Sequence, residues 1–218
     1  MNENWLAERL TIFVPVLLSL SVHEWAHAYS AFLLGDDTAE QQGRMTMNPI
    51  AHIDPLGTIV LPLLGVPFGW AKPVPVNPVR FDRKWNMSTG LALTAAAGPF
   101  SNFVLALASI AGIAAVTHLV APTHSLYQPA QQMCVTTAFV NVALGVFNLF
   151  PIVPLDGSRI AEALVPYNLR GAWDAYASIG PMLLMGVIAL PALFGVSLLA
   201  WPMGKTMELI ALVTGSGL

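Results

Sequence analysis

The chain has 218 residues, of which 56% are hydrophobic and 10% charged, and its mean hydropathy is +0.66. Soluble domains carry about 25% charged residues, so this composition excludes an ordinary soluble domain and reads as an integral membrane protein. The net charge of −3 leaves no basic face for nucleic acid, and a single cysteine, Cys134, excludes a disulfide framework and a cysteine-based zinc site.

Residues 5–34 read as the first transmembrane helix, with Pro15 a kink and Gly35-Asp36-Asp37 a stop. No basic n-region or small-residue cleavage site marks a secretory signal, so this helix is expected to be retained. Within it, residues 17–34 run LLSLSVHEWAHAYSAFLL and hold the pattern H-E-x-x-H at His23, Glu24 and His27. Residues i and i+4 of a helix share a face, so the two imidazoles lie side by side, as two ligands of a tetrahedral Zn²⁺ must. Glu24 is then placed to take a proton from bound water. Two core histidines satisfied by hydrogen bonds are the bland alternative. Against that, ionisable groups are expensive in a membrane-length apolar helix and mark function by default. His23 lies about 11 residues from the end of the span, roughly 17 Å, which sinks the site inside the bilayer.

Residues 36–54 are polar, with Arg44, Asn48 and His52, and are expected at the interface. Residues 55–66 (PLGTIVLPLLGV) are apolar but too short to span comfortably, and read as a re-entrant segment. In residues 68–78 (FGWAKPVPVNP) three prolines rule out helix and allow an edge strand or extended loop. Such an edge beside a hydrolytic site is a place for a substrate strand to dock; a stiff surface loop explains it equally well.

From Trp85 to Leu155 there is no Asp, Glu, Lys or Arg, enough for two spans, at residues 86–120 and 130–150. The run Ala95-Ala96-Ala97-Gly98 lets another helix approach closely. Cys134 reads as a small buried hydrophobe. Asn141, Gly145 and Asn148 fall on one polar, small-residue face, either lining a wet cavity or bonding helix to helix. After Pro151 and Pro154 comes Asp156, the only acidic residue between Asp82 and Glu162. It reads either as a cap for the short helix that follows or as a third metal ligand. Two histidines, one carboxylate and an open position make a catalytic zinc site. Further spans are expected at 172–191 and 192–213, and residues 1–218 read as one membrane-embedded domain.

Lys72, Arg80, Arg83 and Lys84 precede the long span, Arg159 and Arg170 follow Asp156, and residues 121–129 carry no Lys or Arg. With 55–66 re-entrant, every basic loop falls on one side. The expected topology is N-terminus outside and basic loops and C-terminus cytoplasmic, with the metal toward the cytoplasmic face of the cell (plasma) membrane.

HEWAH at 23–27, GPFSN at 98–102 and NLFPIVPLDG at 148–157 together resemble the site-2 protease family of intramembrane zinc metalloproteases. NPIAHIDPLGT (48–58) and GWAKPVPVNP (69–78) resemble its compact prokaryotic branch, without PDZ or CBS domain. The resemblance spans about residues 15–165. It implies an all-α polytopic membrane protein with a three-helix catalytic core, flanking helices and a small membrane-associated β element. By the same resemblance His23, His27 and Asp156 bind Zn²⁺, Glu24 is the catalytic carboxylate, and Asn148 holds substrate or the oxyanion. His52 fits a recurrent position of this branch without a derived role, and His118 and His124 are expected at the interface. The implied activity is hydrolysis of a peptide bond in or near a transmembrane helix of a substrate protein, within the lipid bilayer. The alternatives are a membrane metal-ion transporter, which would show two similar halves that are not apparent here, and a catalytically dead membrane-binding homologue.

Overall fold

The computed structural model describes residues 5–60 and 70–215, and every regular element among them is helical. In chain order these are α1 (Trp5–Leu33), α2 (Thr38–Gln41), α3 (Met87–Leu119), α4 (Tyr127–Asn148), α5 (Asp156–Leu164), α6 (Arg170–Ser178), α7 (Gly180–Phe194) and α8 (Ala200–Thr214). Short 3₁₀ turns at Pro49–His52 and Pro78–Arg80 and a π-turn at Pro55–Val60 fill the connection between α2 and α3.

Helix α3 is the centre of the bundle. It packs on α1, α4 and α5, and with α4 it holds α8. Asn86 starts it by accepting the Ser88 amide at 2.9 Å, a side-chain N-cap. Its buried stripe is made of small and polar residues, among them Gly90, Thr94, Ala95, Gly98, Asn102 and Ala106. Several of its large apolar residues point the other way: Phe100 is 69% exposed and Leu107 63%, while Asn102 is fully buried. A water-soluble bundle would invert this arrangement. Lipid is as apolar as leucine, so helices associate through close packing of small residues and through interhelical hydrogen bonds. Where α3, α4 and α8 do meet, Ile110, Ile113, Ala138 and Ile210 form an apolar cluster, and Cys134 packs against it.

Among the described residues, α3 and α4 are each long and apolar enough to cross a membrane. The bent pair Tyr167–Ser178 and Gly180–Pro191 is a third candidate if it forms one span; its halves meet at 56°. Residues 172–191 are therefore not one straight helix, because the chain turns at Ile179 before Pro181 opens α7. Residues 192–213 are not one helix either. Helix α7 ends at Phe194, and Gly195, with φ +67°, stops it in a conformation open to glycine before α8 begins at Ala200.

The connection from α1 to α3 is tied down at both ends. Gly35 (φ +105°) lets the chain turn so closely that a Cβ there would lie 2.9 Å from Asp82 N, and that amide bonds Leu34 O at 2.7 Å. The fully buried Asp36 accepts the Thr38 amide at 3.0 Å and the Asn77 amide at 2.6 Å, a link the interfacial reading of residues 36–54 does not foresee. Residues 70–77 form no helix or strand. Proline at 73 and 75 removes ladder donors. The Lys72 and Pro73 carbonyls go to the Arg44 guanidinium, at 2.7 and 3.3 Å. The loop alternative thus describes this strap, and the implied β element is not formed by these residues. Of the segment 55–66 read as re-entrant, Pro55–Val60 forms a π-turn, and the remainder lies outside the described residues.

Candidate metal centre

Two turns of α1 and the first residue of α5 converge beneath α3. His23 and His27, one turn apart, set their rings edge to face with centroids 4.6 Å apart. Their Nε2 atoms lie 3.0 Å from each other, and Asp156 Oδ2 lies 3.2 Å from the first and 3.3 Å from the second. The two histidines are buried, to 5% and 8% exposure, and the Asp156 side chain is 20% exposed with its Oδ2 buried. Among the described residues these three form a group able to hold a metal ion.

The hydrogen bonds on the far side of each ring say what the facing atoms are. His27 Nδ1 lies 2.7 Å from the Thr94 carbonyl, which can only accept, so Nδ1 carries the hydrogen. His23 Nδ1 lies 2.6 Å from Asn102 Oδ1, which likewise accepts. In the neutral rings both Nε2 atoms are then bare lone pairs, and Asp156 Oδ2 is buried with no hydrogen-bond donor of its own. Three lone pairs crowded together in a dry site repel one another unless a cation lies between them. Ligands about 2.0–2.1 Å from a tetrahedral zinc sit about 3.3 Å from one another. The residues present fit such an ion.

Two glycines make this convergence possible. Gly98 brings the α3 backbone against the imidazoles: a Cβ there would overlap His27 Nε2 and lie 2.6 Å from His23 Cε1. Gly157 brings the start of α5 against the end of α4, where a Cβ would overlap Leu149 O and lie 2.5 Å from Phe150 O. Asp156 does not cap its helix. Leu155 occupies the N-cap position without a side-chain bond, and the Asp156 carboxylate turns toward the histidines instead.

Glu24 stands beside the triad and outside it. Its Oε2 accepts the Val74 amide at 2.8 Å, which places the strap against the carboxylate. Asn148, the last residue of α4, donates Nδ2 to Leu144 O at 3.0 Å and is not among the converging ligands. His52 is fully buried; its Nε2 bonds Thr46 O at 2.7 Å, and its carbonyl takes the Lys72 amide at 2.9 Å. It braces the strap and is no part of the ligand group. His118 bonds Val213 O at 3.0 Å, joining α3 to α8. Asn141, on the polar face of α4, bonds helix to helix: it is fully buried and bonded to α1 and α3, and Gly145 lies against the Phe103 ring.

Sequence reasoning missed Thr94 and left Asn102 without a role, yet Thr94, Gly98 and Asn102 form one stripe of α3 at four-residue spacing. Gly98 and Asn102 close the motif GPFSN, so the signal was a spacing that matches the histidine pair on α1.

The family model of peptidase family M50 matches residues 109–187. Over 201 residues the chain is 38% identical to the candidate zinc metalloprotease YwhC of Bacillus subtilis, covering 88% of this chain and 84% of that protein. It is 28% identical over 181 residues to the candidate zinc metalloprotease Rip2 of Mycolicibacterium smegmatis, covering 81% of this chain and 66% of the relative. The identity to Rip2 of Mycobacterium tuberculosis H37Rv is 32% over 156 residues, 69% of this chain and 57% of the relative. No solved structure matches the chain.

Proposed function

Because this chain belongs to peptidase family M50, the site-2 proteases, we propose that it is a zinc-dependent endopeptidase that cleaves a membrane-protein substrate in or near a transmembrane helix. The supporting observation is the trio of bare ligand atoms: two imidazole Nε2 atoms and one carboxylate oxygen within 3.3 Å of each other, buried among membrane-length helices.

His23, His27 and Asp156 would hold the ion, leaving a fourth position open. Bound there, zinc would make a coordinated water far more acidic and would polarise a scissile carbonyl. Glu24 takes the proton released by the attacking water and returns it to the leaving nitrogen. Its hydrogen bond from Val74 orients the carboxylate through Oε2. Asn148 serves the developing oxyanion by releasing Nδ2 from Leu144 O when substrate arrives. Helix α1 crosses the lipid with α3 and α4, residues 1–218 act as one domain of the plasma membrane, and the site opens toward the cytoplasm.

The test is zinc content and proteolysis on detergent-purified protein with single-span substrates. Parent protein binds one zinc and cleaves; Glu24→Gln binds zinc and does not cleave; Asp156→Asn loses both. Cleavage by Glu24→Gln at the parent rate would overturn the assignment.

A further inference from the structure

The hydrogen position on His23 is decided two helices away. Asn141, fully buried in α4, reaches two acceptors with its amide nitrogen: Thr137 O at 2.8 Å and Ser19 Oγ at 2.7 Å. A carbonyl only accepts, so the Asn141 atom facing Thr137 is the NH₂ group. Ser19 gives the same answer independently, since its hydroxyl hydrogen goes to Pro15 O at 2.6 Å and its oxygen is left to accept from Asn141. Asn141 therefore turns Oδ1 toward Asn102, which answers with Nδ2 at 2.7 Å. Asn102 is left presenting Oδ1 to His23 Nδ1 at 2.6 Å. Amide orientation is ordinarily ambiguous in coordinates; here each step follows from the backbone carbonyls at the far end.

We propose that Asn102 and Asn141 are positioning residues that lock His23 in its Nδ1–H form, so that Nε2 is held bare for the metal. The lock rests on the zinc reading above for its purpose, and on buried hydrogen bonding alone for its existence. Asn102, Asn141 and Ser19 are each 0% exposed, so no solvent is at hand to satisfy a reversed amide. Reversing one would set like atoms face to face in a dry interior, where unmade hydrogen bonds are costly. His27 has the same outcome by a simpler route, a backbone carbonyl that no substitution can reverse. The His23 arm uses side chains from α3, α4 and α1, which makes one ligand's readiness depend on the packing of three helices. Partners of this kind fix the ring's tautomer and orientation in metal sites generally.

The experiment uses the full chain in detergent, labelled with ¹⁵N-histidine. Zinc affinity is measured by chelator competition, and the ring nitrogens are read by NMR with zinc saturating. Asn102→Leu is expected to bind zinc about 10–100-fold more weakly. Asn102→Asp keeps an acceptor facing His23 but loses the donor to Asn141, and is expected to bind more tightly than Asn102→Leu and more weakly than the parent. Asn141→Ala leaves Asn102 free to turn and is expected to move the His23 Nδ1–H signal, although residue 141 touches no ligand. Parent-like affinity in Asn102→Leu, or His23 bound through Nδ1, overturns the lock. If Asn102→Leu does not fold, Asn102→Asp and the spectrum of the unaltered protein decide the matter. If the parent binds no zinc, the proposed function fails. The lock is then judged by the zinc-free spectrum: Nδ1–H on His23 upholds it and Nε2–H overturns it.

Discussion

Gly98 on α3 faces His27 on α1 so closely that a methyl group in place of its hydrogen would overlap the imidazole Nε2. The helix can therefore lie over the ligand pair only because residue 98 has no side chain. Through the same approach, Thr94 and Asn102, one turn to either side, reach the two Nδ1 atoms.

Gly98→Ala should consequently act on the metal rather than on the fold at large. The new Cβ meets both rings, at 2.6 Å from His23 Cε1 and closer to His27 Nε2. Zinc affinity is expected to fall about tenfold or more. Chelator competition checks this, and unchanged affinity would show that α3 can retreat without cost.

Glu24 and Asp156 should separate binding from chemistry. Glu24→Gln keeps all three ligand atoms and removes the proton acceptor, so zinc stays stoichiometric while the cleavage rate drops about 10²–10⁴-fold, the usual worth of a general base. Asp156→Asn replaces the charged ligand oxygen by a neutral one and should lose zinc and cleavage together. Metal analysis and a single-span cleavage assay on the same preparations distinguish the two.

Val74 offers a test of the strap through the backbone alone. Its amide holds Glu24 Oε2 at 2.8 Å. Val74→Pro deletes that N–H within a run already rich in proline, whereas Val74→Ala shortens the side chain and keeps the donor. Zinc binding should be unaffected in both variants. The cleavage rate is expected to fall about tenfold in the proline variant only, in line with one lost hydrogen bond to a charged group at about 1.5–3 kcal/mol. Equal rates for the two variants would remove Val74 from the site.

Gly157→Ala should damage stability and the site at once. A Cβ there collides with the carbonyls of Leu149 and Phe150, which are backbone and cannot swing aside. Overpacking of this kind costs about 1–3 kcal/mol, and because α5 must shift to relieve it, Asp156 moves off the histidines. Thermal unfolding of the zinc-free protein and zinc titration measure the two effects separately.

Much of this site is legible in the primary structure because its strongest element is local. His23, Glu24 and His27 need only helical periodicity to present two imidazoles on one face. Asp156 stands out because the chain around it is stripped of charge. The lipid-facing character of the bundle follows from composition alone. The ends of the last helices were not legible: alanine, leucine and methionine read as continuous helix across Gly195, and only its φ of +67° shows the break.

What the chain order cannot express is which acceptor lies behind each ring. His23 meets Asn102 and Asn102 meets Asn141 across sequence separations of 79 and 39 residues, and the Asn141 amide could equally have served a cavity. Periodicity places a residue on a face of its own helix. The partner is set by how three helices approach one another, and that depends on the missing side chains of Gly98 and Gly157. Local spacing thus determines that two imidazoles share a helix face, while packing decides which oxygen stands beside them and which ring nitrogen is left bare.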